Sequence, residues 1–351
     1  MLRSVSSFGC SLGVVLVAAC TTKEADRALV IVSNEDSGDV SIIDPARDEV
    51  VKRVNVGKRP RGLRVSPDGK LLFVALSGSP KGGPPTGAGP RQAARDDGPR
   101  DDTADGIGVV DIDRGALVRT IPAGRDPEAF DITPDGKHLY VSNEESSAVS
   151  VVDVASGSVV RTISVGAEPE GVTMSPDGKL VYVTSESENA VDVISTAEHR
   201  VVARIPTSAR PRAVAISADG SSAYVTAELG GRLHMVDTHT RAPTGDVRTG
   251  GDDARPMGVA LSPDGMIAYV ANGRAGSVAV IDLPSRTVVR TIEHVGARPW
   301  GVALLPGGKK LYVAAGPDVA VVDAARGTVS KRIPVGGGPW GVVIASAKRS
   351  P

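Results

Sequence analysis

Short apolar segments recur along this chain, each bounded by turn residues. In one unit of the pattern they are residues 172–174, 180–184, 191–194 and 201–205. These segments are rich in β-branched residues, which predicts β-strands. Between residues 28 and 346 no segment keeps a long apolar period of 3.6 residues, so no long helix is predicted.

A turn motif of the form Ser-Pro-Asp-Gly punctuates these segments. After a first interval of 67 residues, its closing glycines are 42, 42, 45 and 43 residues apart. Four short strands in a period of about 40 residues predict one blade of a β-propeller. The copies, of which the last is degraded, close at Gly69, Gly136, Gly178, Gly220, Gly265 and Gly308.

The second strand of the unit sets the number of blades. It occurs seven times, starting at Ala28, Leu71, His138, Leu180, Ser222, Ile267 and Lys310. The first strand also occurs seven times but out of step, because the chain starts on a second strand and ends on a first one, residues 339–345. We therefore predict an all-β, seven-bladed propeller of four-stranded antiparallel blades over residues 28–346. The C-terminal strand is expected to pair into the N-terminal blade, which closes the ring and removes exposed sheet edges.

Aspartates at the end of the third strand recur in six blades. Six regularly spaced carboxylates suggest either a metal or catalytic array, or side chains that accept backbone N–H groups of the next turn. Capping is the favoured interpretation, because the fold needs it in each copy. The six are Asp44, Asp111, Asp153, Asp237, Asp282 and Asp323.

Two resemblances lie in the repeated segments. Tyr140 to Asn143, Tyr182 to Ser185 and Tyr269 to Asn272 resemble the Tyr-Val-Thr-Asn (YVTN) family of β-propeller repeats, which implies the fold over residues 28–346. The chain is also similar to the seven-repeat propellers associated with pyrroloquinoline-quinone (PQQ)-dependent alcohol catabolism. That second resemblance implies an accessory role in PQQ-dependent alcohol oxidation, and is carried by residues 33–38, 57–62, 75–80 and 104–111.

The N-terminus has the pattern of a secretory signal. Arg3 precedes an apolar stretch, and small residues follow it. Val17 to Cys20 resembles a bacterial lipobox, which implies a signal peptide over residues 1–19 and a lipid on Cys20. Ordinary signal cleavage near Ala19, or a short uncleaved anchor, remain alternatives.

The lipoprotein interpretation predicts a periplasmic location with the lipid as the only membrane contact. Thr21 stands where an aspartate would resemble an inner-membrane retention signal, which favours the outer membrane. Residues 20–27 are then a tether and 347–351 a tail. The formal net charge of −1 implies no nucleic-acid partner.

By resemblance to known propellers, the loops between fourth and first strands and those between second and third strands share one face, the top face. There each repeat places a proline flanked by candidate binding residues. Charges of both signs fit a polar ligand or a partner protein, with arginine suited to carboxylate or phosphate and tryptophan to stacking. Mutual pairing that only rigidifies the ring is the alternative. The candidates are Arg59, Arg61, Asp126, Glu128, Glu168, Glu170, Arg210, Arg212, Arg255, Arg298, Trp300 and Trp340.

Two further features lie on the top face. Residues 77–106 form an enlarged loop rich in proline and glycine, which is predicted to be mobile. Loop carboxylates offer cation ligands, although solvated carboxylates are the simpler interpretation. These carboxylates are Glu35, Asp36, Glu144, Glu145, Glu186, Glu188 and Glu228.

The chain lacks the common motifs of catalysis. The five histidines are scattered, there is no Cys-x-x-Cys-His for haem, and no nucleophile elbow or phosphate loop occurs. We therefore expect no metal or other cofactor, and a non-catalytic binding role. A propeller enzyme, either a lactonase-like hydrolase or a haem-handling dehydrogenase, is the alternative. The haem reading needs a histidine at the channel mouth, and only His294 lies near it.

Overall fold

The computed structural model describes residues 28–80 and 99–346. They form seven four-stranded antiparallel sheets arranged as a closed ring, which confirms the predicted seven-bladed propeller. Two single-turn 3₁₀ helices, Asp102–Ala104 and Glu144–Ser146, interrupt the loops. No helix among the described residues has the length and apolar character needed to cross a membrane.

The strands follow one another in simple hairpin order. The first half comprises β1 (Ala28–Asn34), β2 (Asp39–Asp44), β3 (Glu49–Asn55), β4 (Leu63–Val65), β5 (Leu71–Leu76), β6 (Gly106–Asp111), β7 (Ala116–Ile121), β8 (Pro127–Ile132), β9 (His138–Asn143), β10 (Ala148–Asp153), β11 (Ser158–Ser164), β12 (Pro169–Met174), β13 (Leu180–Ser185) and β14 (Ala190–Ser195). The second half comprises β15 (Arg200–Pro206), β16 (Pro211–Ile216), β17 (Ser222–Ala227), β18 (Arg232–Asp237), β19 (Ala242–Arg248), β20 (Pro256–Leu261), β21 (Ile267–Asn272), β22 (Ser277–Asp282), β23 (Thr287–Ile292), β24 (Val302–Leu304), β25 (Lys310–Ala315), β26 (Asp318–Asp323), β27 (Thr328–Pro334) and β28 (Pro339–Ser346).

The chain closes on itself in blade one, which has the strand order β28-β1-β2-β3. β28 pairs antiparallel with β1, and Val32 lies opposite Val342. Blades two to seven each take the next four strands, from β4–β7 to β24–β27. The predicted closure by the C-terminal strand is therefore confirmed.

The apolar core lies between neighbouring blades. Val30 and Val32 of blade one, for example, pack in one buried cluster with Tyr312 and Val319 of blade seven. Because each sheet buries both faces against its neighbours, strands two and three read as continuous apolar runs in the sequence.

The predicted turns form as expected from their residues. The N–H of Gly69 donates to the carbonyl of Ser66 at 2.8 Å, and the Asp68 carboxylate accepts from the Lys70 N–H. Gly69 has a φ of +76°, a conformation that glycine adopts without strain. All six aspartates at the end of the third strand accept a backbone N–H of the next turn, which confirms their predicted capping role.

The enlarged loop of blade two is described only at its two ends, residues 77–80 and 99–106. Arg100 forms ion pairs with Asp105 and with Glu145 of blade three, which ties the loop end to the top face. The predicted signal peptide, Cys20, the tether, residues 81–98 of the loop and the tail lie outside the described residues.

Candidate functional site

One side chain from each blade contributes to a ring at the top of the central channel, directly after the proline that begins the first strand or shortly precedes it. We call these seven residues the mouth ring. In blade order from two to seven and then one, they are Arg61, Glu128, Glu170, Arg212, Met257, Trp300 and Trp340. The order divides the ring into a charged arc, Arg61 to Arg212, and an apolar arc, Met257 to Trp340.

The backbone of the mouth ring is held blade to blade. Each of the seven carbonyls accepts a hydrogen bond from the preceding blade, either from a side-chain hydroxyl or from a backbone N–H. The Ser33 hydroxyl, for example, donates to the Arg61 carbonyl at 2.7 Å, and the Gly301 N–H donates to the Trp340 carbonyl at 2.9 Å. A Cβ on Gly301 would lie 2.5 Å from that carbonyl oxygen, so the small residue after the ring position is required by the close approach of the strands.

A second set of residues, which we call the outer rim, precedes the same prolines. All seven have positive φ, and six of them carry charged side chains although glycine would adopt this conformation with less strain. The outer rim consists of Arg59, Asp126, Glu168, Arg210, Arg255, Arg298 and Gly338.

The loop after the second strand lies beside the outer rim. In four blades its first residue is a glutamate whose N–H donates to the rim carbonyl, as Glu144 does to Asp126 at 3.1 Å. Blades six and seven have Gly273 and Gly316 at this position, and blade two has Ser77. The four glutamates are Glu35, Glu144, Glu186 and Glu228.

Arg61 is the centre of one ion cluster. Its guanidinium lies 3.2 Å from Glu35 Oε1 and 3.8 Å from Asp126 Oδ1, and it contacts Glu128. Burial lowers the pKa of Arg61, but these carboxylates outweigh burial and raise the pKa above its ordinary value. Arg59 of the outer rim pairs with Glu35 at 3.0 Å and joins the same cluster.

Arg212 is the centre of a second cluster. Its Nε lies 2.7 Å from Glu228, and its Nη1 contacts both Glu170 and Glu186. Burial opposes the charge of Arg212, yet the three carboxylates raise its pKa above the ordinary value. Arg210 pairs with Glu186 at 2.7 Å. The alternative of mutual pairing that rigidifies the ring therefore accounts for both clusters.

Glu144 lies between the two clusters. Burial raises its pKa to about 7, and repulsion from Glu170 adds to the increase while Arg61 opposes it. Burial also raises the pKa of Glu170 well above its ordinary value, although Arg212 opposes that shift. The channel mouth therefore favours the protonated form of Glu144 and Glu170 more than solvent does.

Three carboxylates approach the geometry of a cation site. Ligand oxygens of Asp126, Glu128 and Glu144 all lie within 4.8 Å of one another. Arg61, however, already contacts Asp126 and Glu128 and supplies their positive charge. The donor set is thus explained by an ion pair inside the protein.

The apolar arc is built around two indoles. The ring centroids of Trp300 and Trp340 are 5.3 Å apart with an interplanar angle of 33°. The Cζ atoms of Arg212 and Arg298 lie 5.3 Å and 5.7 Å from the Trp300 centroid, within the range of cation–π contacts. Met257 completes this arc and is buried.

The remaining candidates join neither cluster. Glu168 accepts a hydrogen bond from the Ser187 hydroxyl. Burial raises the pKa of Glu228, but Arg212 lowers it below the ordinary value, with smaller contributions from Arg210 and Arg255. Neither Arg255 nor Arg298 forms an ion pair with any residue in 28–80 or 99–346. His294 is exposed, and the mouth ring contains no histidine.

The sequence indicated the four loop glutamates only as cation ligands. It did not indicate that three of them, Glu35, Glu186 and Glu228, pair with Arg61 or Arg212. A signal was present, because all four follow the second strand directly. What the sequence did not reveal is which arginine each glutamate would reach.

Comparisons with known proteins agree on the fold. A family model for YNCE-like beta-propellers matches residues 94–175 and one for the Choice-of-anchor I domain matches residues 145–311, each less than half of the chain. No curated protein sequence matches this chain.

Three solved structures illustrate the fold similarity. A chain of Kuenenia stuttgartiensis hydrazine synthase is 25% identical with a TM-score of 0.65, over 80% of this chain and 88% of that one. A putative 6-phosphogluconolactonase from Bacteroides fragilis NCTC 9343 is 18% identical with a TM-score of 0.73, over 92% and 99%. The dihydro-heme d1 dehydrogenase NirN in complex with DHE is 16% identical with a TM-score of 0.63, over 91% and 75%.

Proposed function

We propose that this chain is a non-catalytic propeller that binds a protein partner or a small polar ligand at the mouth ring. The observation that carries the proposal is the fixed position of the ring, in which all seven carbonyls are held by the preceding blade. Binding to groups that are already in place loses less conformational entropy. Ligand sites typically combine apolar surface with a few polar groups, and the two arcs of the ring offer both.

In this proposal the propeller is a periplasmic lipoprotein. Cys20 carries the lipid, which is the only contact with the membrane, and Thr21 favours the outer membrane. The resemblance of residues 33–38 and 104–111 to PQQ-associated propellers supports an accessory role in PQQ-dependent alcohol oxidation. The top face with its mouth ring would then be the surface offered to periplasmic partners.

The test is a capture experiment with full-length protein purified in detergent. Wild type and the mouth variants Arg298→Glu and Trp340→Ala are exposed to the periplasmic and membrane fractions, and retained proteins and metabolites are identified by mass spectrometry. Arg326→Glu is the matched control, because Arg326 is an exposed arginine in a bottom turn of blade seven. We expect species that wild type and the control retain and the mouth variants lose. The same retained set for all four proteins would refute the proposal.

A specific observation favours an enzyme as the second candidate. A carboxyl group with a pKa of about 7 is suited to general acid–base catalysis, and Glu144 has such a pKa at the channel mouth. The putative 6-phosphogluconolactonase shares the fold with this chain. Hydrolysis of a lactone panel that is abolished by Glu144→Gln, with folding unchanged, would establish this alternative over the binding role.

A further inference from the structure

We infer that the apolar arc of the mouth ring, together with the outer-rim arginines above it, binds a small aromatic carboxylate. This inference rests on the proposed function and names the ligand class for the same mouth. The residues that carry it are Arg255, Arg298, Trp300 and Trp340, which come from blades six, seven and one. These three blades are consecutive in the ring, and we call the four residues the basic-aromatic sector.

The first argument is charge. Arg61 and Arg212 each have several carboxylate partners, so their charges are compensated inside the protein. Arg255 and Arg298, by contrast, form no ion pair within the described part of the chain, and Arg255 has only a weak electrostatic interaction with Glu228. Arg255 is half-buried and Arg298 is exposed. A guanidinium presents a planar fork of N–H donors that matches a carboxylate, so this sector favours an anion.

The second argument is the glycine substitution beside the sector. At the first position of the loop after strand two, four blades carry glutamate, whereas blades six and seven carry Gly273 and Gly316. These two blades therefore omit the carboxylate that would pair with the rim arginine or repel an incoming anion. A Cβ built on Gly316 would lie 3.8 Å from the Ala297 carbonyl oxygen, so this position is spacious. A Cβ on Gly273 would lie 2.8 Å from Cγ of Met257, so the open space is in blade seven.

The third argument is the planar surface. Trp300 and Trp340 are partly accessible, and their backbones are fixed by hydrogen bonds from Gly258 and Gly301. Indoles pack well against a further aromatic ring in offset or edge-to-face geometry. Because the Arg298 guanidinium lies 5.7 Å from the Trp300 centroid, cation and aromatic surface are contiguous. A carboxylate attached to an aromatic ring lies close to the plane of that ring, so one ligand can contact both groups.

The chain supplies its own probe for this site. It contains two tryptophans in total, and both belong to the basic-aromatic sector. Intrinsic tryptophan fluorescence therefore reports on this sector alone. Full-length protein is titrated with benzene-1,2,4-tricarboxylate, with its saturated analogue cyclohexane-1,2,4-tricarboxylate and with benzamidine, and isothermal titration calorimetry checks the affinities.

We expect the aromatic tricarboxylate to bind about tenfold more tightly than the saturated one, because only the aromatic ring can pack against the indoles in offset or edge-to-face geometry. Benzamidine, which is aromatic but cationic, should not bind. Arg255→Gln and Arg298→Gln should each weaken binding by about tenfold or more, as expected for the loss of a charge-assisted hydrogen bond. The matched control Arg326→Gln should bind like wild type. Circular dichroism melting identifies any variant that fails to fold.

Several outcomes would overturn the inference. Equal affinity for the aromatic and saturated acids would show that the tryptophans do not contribute to binding. Tighter binding of benzamidine than of the acids would show that the site prefers a cation to an anion. Unchanged binding in both arginine variants would show that Arg255 and Arg298 do not contact the carboxylate. If a fold defect affects an arginine variant, Arg255→Lys and Trp340→Phe provide milder tests, with an expected loss of affinity in each. The capture experiment separates the two proposals: mouth-dependent capture without binding of any aromatic acid would defeat only this inference.

Discussion

The hydroxyl of Tyr312 in blade seven donates a hydrogen bond to Oδ1 of Asp48 in blade one. The other oxygen of Asp48 pairs with Lys310, also in blade seven, at 2.7 Å. Burial raises the pKa of Tyr312, and the bond to Asp48 raises it further, so the phenol stays protonated as the donor. These contacts join the bottom turn of the first blade to the last blade, next to the β28–β1 closure of the ring.

We expect Tyr312→Phe to lower the free energy of unfolding by about 1.5–3 kcal/mol, because it removes a buried hydrogen bond to a charged acceptor. Chemical denaturation followed by circular dichroism measures this change. Tyr182→Phe is the matched control, because the buried Tyr182 hydroxyl has no hydrogen-bond partner among the described residues. Its removal should leave stability within about 0.5 kcal/mol of wild type or raise it slightly. Equal losses in the two variants would contradict the assigned role of Asp48.

Arg212→Met should be strongly destabilising, by about 3–5 kcal/mol, because it leaves buried carboxylates without their cation. Glu170 and Glu186 both contact Arg212, and their side chains are 10% and 2% exposed. Adding Glu170→Gln to this variant should recover part of the loss. Arg326→Met is the control, with a change near zero, because the Arg326 side chain is 80% exposed. A loss in Arg212→Met no larger than in the control would show that the cluster contributes little.

Glu144 should make stability fall as the pH rises toward neutrality. Its folded pKa of about 7 exceeds the ordinary value of 4.5, so between these values the folded state holds a proton that the unfolded state has released. This contribution is present in full below pH 4.5 and is lost as the pH rises through 7. We expect the free energy of unfolding of wild type to decrease more steeply across this window than that of Glu144→Gln. Parallel curves for the two proteins would rule out the raised pKa, and the exposed Glu198→Gln provides the control.

Ionised Asp135 should stabilise the fold, so its effect on the free energy of unfolding is lost as the pH falls. A hydrogen bond from the Thr133 hydroxyl, followed by one from the Lys137 N–H, lowers its pKa from 3.8 to about 2. Its contribution to stability is therefore present above pH 4 and is lost as the pH falls through 2. In Asp135→Asn the free energy of unfolding should vary less between pH 4 and pH 2 than in wild type. The same dependence of the free energy of unfolding on pH in both proteins, between pH 4 and pH 2, would show that the pKa of Asp135 is not lowered.

The lipoprotein proposal predicts that Cys20→Ala abolishes lipid attachment. Metabolic labelling with a fatty acid, followed by separation of membrane and soluble fractions, measures both modification and location. The Cys10→Ala variant is the control, because Cys10 lies within the predicted signal peptide. Label retained in Cys20→Ala, or absent from wild type, would refute the proposal.

Local features of the fold were predictable because their causes lie within a few residues. The turn from Ser66 to Gly69 closes through hydrogen bonds inside its own segment. The repeats begin on a second strand, β1, and end on a first strand, β28. This order predicted that β28 would complete the first blade and close the ring. The prolines likewise located the mouth ring, because each one begins a first strand or lies three residues before it.

The chemistry of the site was less predictable. Arg61 meets Glu35 and Glu128, which are 26 and 67 residues away in the sequence, only because the blades converge on one axis. The sequence predicted either mutual pairing or a ligand site for the same arginines. In the structure the arginines fall into two groups. Arg61 and Arg212 form ion pairs, whereas Arg255 and Arg298 form none among the described residues.

By itself, then, the sequence determined the strands, the turns, the number of blades and the way the ring closes, because hydrogen bonds within short segments and a repeated pattern of apolar residues dictate them. Only the tertiary structure decided which charges meet, which carboxyl groups have a raised pKa and where two tryptophans come into contact. Those properties depend on distances of a few ångströms between blades and on burial at the axis, and neither is encoded in the spacing of residues along the chain.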